Sequence, residues 1–363
     1  MKNLESLLII GIIASALFFT SCDPTDPPVT NNVVEITADI TEPTTWTADK
    51  VYVISMLDFG VESTLTIEAG TVIKFPSNYK YLSLYGDGKI IANGTTSNQV
   101  VFTSYKDDTN GGDTNEDGSS TTAAVGDWGN IDLNGTSGSV FTNCKFLYGG
   151  YGTTASSTLN LSASAEATIE GCTFAYNGGG QNGNFFVGAL NADQASNNTS
   201  ITNTTFYNNV LPLTIAAEIS TDNSNSFSSG GEGNSYNGIF VSGNIQRNTS
   251  WEESEVAYVI TSDNMNVGIG IVLTLGNNVI LKFVDDATLT LLSGESSLDN
   301  YNGSGVYYTS LKDDDLLGDT NGDGTLTAPA IADWTGIFLD EWKSTGYANW
   351  SNILYNDPNP SSK

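Results

Sequence analysis

The chain has 363 residues, of which 41 are acidic, 12 are basic and none is histidine, giving a net charge of −29. That balance argues against nucleic-acid binding, which needs Lys and Arg to neutralise phosphates. The missing imidazole excludes Ser-His and Cys-His nucleophilic centres and His-ligated zinc, and Arg247 is the single arginine. Acidity of this degree favours cations or a neutral partner, beyond keeping an exported chain soluble.

The first element is a leader. Lys2 precedes an apolar run from Leu7 to Phe19, and the run closes on Phe19-Thr20-Ser21-Cys22. An apolar run of about 13 residues is short for a membrane span and suits a signal peptide. The small residues before Cys22 resemble a bacterial lipobox, with Phe19 where an aliphatic residue is usual. The resemblance implies cleavage before Cys22, lipidation of its thiol and anchorage in the outer membrane or at the cell surface. The alternative is an ordinary secretory signal with an incidental Cys22. Residues 23–33 then read as a Pro-rich tether.

About 330 residues remain, enough for one large domain or two. Gly, Asn, Ser and Thr are abundant, and no long stretch has helical periodicity. Short β-rich runs alternate with Gly/Asn turns at Val51–Ile54, Leu65–Phe75, Tyr81–Leu84, Lys89–Ile91 and Val100–Thr103. Such spacing predicts an all-β fold. An acidic loop follows at 106–133. Beyond it, Phe141–Phe146, Ile169–Phe174 and Ile201–Phe206 share one template: apolar, any, Asn or Gly, small, any, Phe. In a strand, residues two apart share a face, so Cys144 and Phe146, Cys172 and Phe174, and Thr204 and Phe206 are expected to point alike. A strand-only unit that recurs after 28 and then 32 residues predicts a coil of a parallel β-helix, with like residues stacked inside. Cys144 and Cys172 are expected to stack in that core rather than to form a disulfide.

The string LTIEAGTVIKF at 65–75, GDGKIIANGTTSNQVVFTS at 86–104 and the acidic passage after it carry a resemblance. Together they resemble the exported right-handed parallel β-helix lipoproteins of Gram-negative bacteria, related to the pectate-lyase-like fold. The resemblance implies a right-handed parallel β-helix, here a solenoid with two long metal-pinned loops. It marks coils and turns, not a catalytic site.

The chain then begins again. Residues 312–339 repeat 106–133 without a gap, Trp251 repeats Trp46, and Lys282-Phe283 repeats Lys74-Phe75. This predicts a first β-helix module at 34–250 and a second, partial one at 251–363, either separate or continuing the same solenoid.

Each copy holds a D-T-N-x-D-G loop: Asp113, Asn115 and Asp117 closed by Gly118, then Asp319, Asn321 and Asp323 closed by Gly324. Oxygen ligands at positions 1, 3 and 5 with a turn glycine at 6 form the first half of an EF-hand loop. The Glu that would close such a loop is replaced by Ala124 and Ala330, so further ligands are required. Asp127 and Asp333 are the preferred ones, with Asp107/Asp108 and Asp313/Asp314 on the entering side as the other choice. Calcium is therefore the expected, structural cofactor. Trp128 and Trp334 are expected to pack where each loop rejoins its coil.

The expected function is a cell-surface β-helix lipoprotein with calcium-stabilised loops, acting in adhesion, carbohydrate binding or envelope structure. Its partners would be the membrane, through the lipid anchor, and a glycan or other surface ligand. The alternative is a β-helix polysaccharide lyase or glycoside hydrolase using Asp or Glu.

Overall fold

The computed structural model describes residues 32–76, 81–151, 156–183, 185–293, 295–341 and 344–360. The leader at 1–22 with Cys22, and the tether up to residue 31, lie outside the described residues. Asn32 already opens the first strand, Asn32–Ile36, which pairs in parallel with Lys50–Ile54.

The described chain is all-β and forms a parallel β-helix. Successive strands step around three faces, and each strand pairs with its counterpart one coil later. The first face has 7 strands, from Asn32–Ile36 to Thr205–Tyr207. The second has 10, from Asp58–Val61 to Tyr307–Ser310, and the third has 6, from Thr44–Trp46 to Ser200–Thr202.

The sequence template explains the coil. Its third position, Asn143, Gly171 or Asn203, takes φ of 47°, 63° and 51°. Asn and Gly tolerate this left-handed conformation best, so one residue turns the chain between the third face and the first. The template's Phe then lands at the same place in successive coils. Phe102, Phe146, Phe174, Phe206 and Phe227 stack with centroid spacings of 5.0, 4.5, 5.2 and 5.3 Å. Cys144, Cys172 and Thr204 form a second buried column beside them, and both thiols are free. A third column is polar. Asn177 Nδ2 donates to Phe146 O and to Asn209 Oδ1, while Asn209 Nδ2 donates to Phe174 O and to Asn234 Oδ1. Such a ladder satisfies the carbonyls exposed at the corner, which burial would otherwise penalise.

The second copy runs on in the same solenoid, because the second face passes through both. It does not, however, repeat in phase. Lys50–Ile54, Val72–Phe75 and Val100–Ser104 lie in the first face, whereas their counterparts Ala257–Ile260, Ile280–Phe283 and Tyr307–Ser310 lie in the second. The other two sides of these later coils are a three-stranded sheet, Thr249–Trp251 with Val272–Leu275 and Ser297–Asp299, and a four-stranded one. The latter holds Asn264–Val267, Thr288–Leu291, Gly336–Glu341 and the antiparallel Ser344–Tyr347. The first acidic loop therefore leaves the first face, and the second leaves the second.

Candidate metal centre

Each loop is tied to the solenoid at the same points. Trp128 is fully buried, stacked on Phe75 at 4.1 Å, and donates from Nε1 to Leu147 O at 2.7 Å. Trp334 does the same with Phe283 at 4.0 Å and Leu354 O at 2.8 Å. These rings are wedges at the loop exits and offer no face to a ligand.

At the loop entry, Asp107 is buried and accepts from Thr103 Oγ1, from Thr109 N and Oγ1, and from Asn110 Nδ2. Burial alone would raise its pKa, but these donors outweigh it and hold the carboxyl below the usual range. Asp313 repeats the bond, accepting from Thr309 Oγ1 at 2.6 Å. These two carboxylates fasten the loop.

Asp127 and Asp333, the sequence's preferred closing ligands, are engaged elsewhere. Asp127 accepts from Ser104 Oγ at 2.8 Å, Lys106 Nζ at 2.7 Å and Ala124 N at 2.9 Å. Asp333 accepts from Ser310 Oγ, Lys312 Nζ and Ala330 N at 2.7, 3.2 and 2.9 Å. Burial opposes the ionisation of Asp333, yet these donors lower its pKa on balance. A carboxylate holding a lysine at the base of the loop is not free to turn toward a cation at its tip.

The carboxylate that does join the loop is Asp108. Oxygens of Asp108, Asp113 and Asp117 lie within 4.8 Å of one another. Asp113 is oriented by its own turn, accepting from Asp117 N and Gly118 N at 3.2 and 2.8 Å. Asp117 accepts from Thr121 Oγ1, Ser120 N and Asn115 Nδ2, and the Thr121 bond is the main reason its pKa falls. Asn115 turns its amide hydrogens to Asp117 and Thr121, leaving its Oδ1 buried without a donor. Asp108 Oδ1 is likewise buried and without a donor.

The second loop repeats these turns through Asp314, Asp319 and Asp323, but among the described residues only the first trio gathers within 4.8 Å, and Asn321 Oδ1 accepts from Asp323 N at 3.2 Å. Asp319 accepts from Asn321 N, Gly322 N and Gly324 N, while Asp323 accepts from Thr327 Oγ1 and Asn321 Nδ2. Asp314 Oδ1 is buried and unpartnered. Burial first, and then the like charges of Asp319 and Asp323, raise the pKa of Asp314.

A lysine lies beneath each loop. Lys74 is fully buried and donates to Asp107 O and Gly112 O at 2.8 and 2.6 Å. Lys282, also fully buried, donates to Gly318 O at 2.7 Å. Burial pushes Lys282 down to about 8 despite the nearby Asp313, Asp314 and Asp319. The sequence signal for this pair was the alignment of Lys74-Phe75 with Lys282-Phe283, which by itself reads only as a strand.

The residues fit a hard cation. In the first loop, three convergent carboxylates and an amide oxygen, with Asp108 Oδ1 and Asn115 Oδ1 buried without donors, are the donor set calcium prefers, with water completing six to eight ligands. The second loop offers the same residue types less tightly gathered, with Asp314 Oδ1 orphaned. No family model matches the chain, nor does any curated protein or solved structure.

Proposed function

We propose that the protein is an exported, lipid-anchored β-helix of the outer membrane or cell surface whose acidic loops are pinned by calcium. In this reading it is a non-catalytic scaffold for adhesion, carbohydrate contact or envelope structure. The observation that carries it is the orphaned Asp108 Oδ1, buried beside Asp113 and Asp117 and matched by Asp314 Oδ1 in the second copy. An ionised oxygen without a donor is costly to bury, and a cation is the partner that would repay both copies alike. Asp108, Asp113, Asn115 and Asp117 would hold one ion, and Asp314, Asp319, Asn321 and Asp323 a second. Bound there, calcium supplies the positive charge that lets three carboxylates share one turn. The loops are long for connections within a solenoid, and pinning gives them a fixed path over its outer surface.

Calorimetric titration of calcium into the chelator-stripped chain tests the metal, with two sites per chain expected. An absence of heat together with an unchanged melting transition would remove the cation. The anchor is tested by Cys22→Ala, which should move the protein from the membrane fraction to the soluble exported fraction. The competing lyase or hydrolase reading requires carboxylates that converge in an open groove outside the acidic loops.

A further inference from the structure

Two adjoining cavities open on the outer surface of the second copy. One, of about 360 Å³, lies between the antiparallel hairpin of Gly180–Asn182 and Phe185–Val187 and the second acidic loop. The other, of about 730 Å³, runs along the four-stranded sheet to Phe338 and Tyr347. Asp263 and Asp285 line both, so the two cavities adjoin at these carboxylates and together make up a cleft.

The coil geometry explains this arrangement. Asp263 follows the strand Ala257–Ile260, and Asp285 follows Ile280–Phe283 one coil later. Both therefore sit at the corner where the second face turns into the four-stranded sheet, and both are exposed. Lys312 occupies the same corner one further coil on, with Nζ at 2.8 Å from Asp285 and 3.2 Å from Asp333. Phe338 and Tyr347, both half-buried, meet edge-to-face at 5.1 Å at the far end of the second cavity, whereas Phe186 in the first is buried against Phe240 at 4.8 Å.

The geometry points to a binding cleft for a neutral oligosaccharide. Sugar rings carry an apolar C–H face that lies against aromatic side chains and a rim of hydroxyls that carboxylates accept in pairs. An aromatic pair at one end and a row of carboxylates spread over two coils match a chain of such units rather than a single small molecule. The sign of the charge selects among glycans. Asp263, Asp285 and Asp286 line the cleft, joined in the absence of calcium by Asp323 of the second loop, while its lysine is already committed to Asp285 and Asp333, so without calcium a uronic-acid polymer is repelled. This gives the carbohydrate contact of the surface-scaffold reading a location, and it rests on that reading.

The test is affinity electrophoresis of the full chain, with chelator present, in gels containing soluble β-1,3-glucan, xylan or mannan, with polygalacturonate as the anionic control. Retardation by at least one neutral polysaccharide and none by polygalacturonate is expected. Asp263→Ala and Tyr347→Ala should each weaken it by about tenfold or more, the effect of losing a charge-assisted bond or a stacking face. Asp263 is exposed, so its variant should melt with the wild type even if the Tyr347 variant does not. Retardation by no neutral polysaccharide, retardation by polygalacturonate, or full retardation of Asp263→Ala overturns the proposal. Release of reducing ends that Asp263→Ala abolishes would make the cleft a hydrolase and overturn binding as its role. Calcium titration without glycan reads the metal centres independently, so failure of the scaffold reading is told apart from failure of the cleft.

Discussion

Asp108→Asn removes one charge from the first acidic cluster while keeping the side chain's shape. Extracellular calcium modules bind at about 10⁻⁴ to 10⁻³ M. At ~2 mM calcium, a site at the tight end of that range stabilises the fold by about 1.8 kcal/mol. The described solenoid runs from Asn32 to Pro360, and an unfolding entropy scaled to its length is about 0.7 kcal/mol per degree. Each occupied loop is therefore worth about 2–3 °C of melting temperature, and both together about 5 °C. A tenfold weaker first site would contribute less than 1 °C. The calcium-induced shift, measured by scanning calorimetry in calcium and again in chelator, should thus fall to about two-thirds of its wild-type value. Titration should lose one of two strong sites. In chelator the variant should be at least as stable as the wild type, because an unpartnered buried carboxylate has become neutral. A variant that keeps the full shift would refute the assignment of Asp108, whatever the second loop does.

Asp127→Ala tests the converse. It strips Ser104, Lys106 and Ala124 of their common acceptor, so it should cost about 2–3 kcal/mol in urea denaturation while calcium stoichiometry stays at two. Loss of a calcium site would restore Asp127 as a ligand. In chelator, Lys282 makes stability rise with pH. Its pKa is about 8 in the fold against 10.5 when free, so the unfolded chain holds more protons across that window. The buried charge costs most below the window and nothing above it. Stability should increase by about 2 kcal/mol from pH ~7.5 to ~9.5 through this group, and Lys282→Met should remove that increase. An equal slope in the variant would assign it elsewhere. Trp334→Ala opens a fully buried site stacked on Phe283 and should cost about 3–5 kcal/mol in denaturation. A loss below ~1 kcal/mol would mean that the loop exit collapses without strain.

The coil was legible in the sequence because it is written in local chemistry. Asn143, Gly171 and Asn203 mark the corner where φ must be positive, and a Phe follows three residues later each time. The loops were legible as oxygen-rich turns for the same reason, since Asp113, Asn115 and Asp117 act within one turn. Asp108 and Asp127 flank that turn with equal plausibility, and sequence order does not say which returns to it. The answer lies in Lys106 and Ser104, which take hold of Asp127 from a strand end 21 and 23 residues away. The hairpin around Phe186 was hidden in Gly/Asn-rich material that reads as turns. The cleft was hidden more deeply, because Asp263, Asp285 and Tyr347 meet only when three successive coils are stacked.

The one-face offset between the copies has a further consequence. Val72–Phe75 and Ile280–Phe283 are counterparts in the repeated sequence, yet one belongs to the first wall and the other to the second. A strand in this protein thus carries no address. Its buried side suits either of the two walls to which the preceding corners deliver it. The same freedom decides where the loops that ride on those strands are displayed. The two acidic loops are therefore displayed from different faces of the solenoid, not side by side along one.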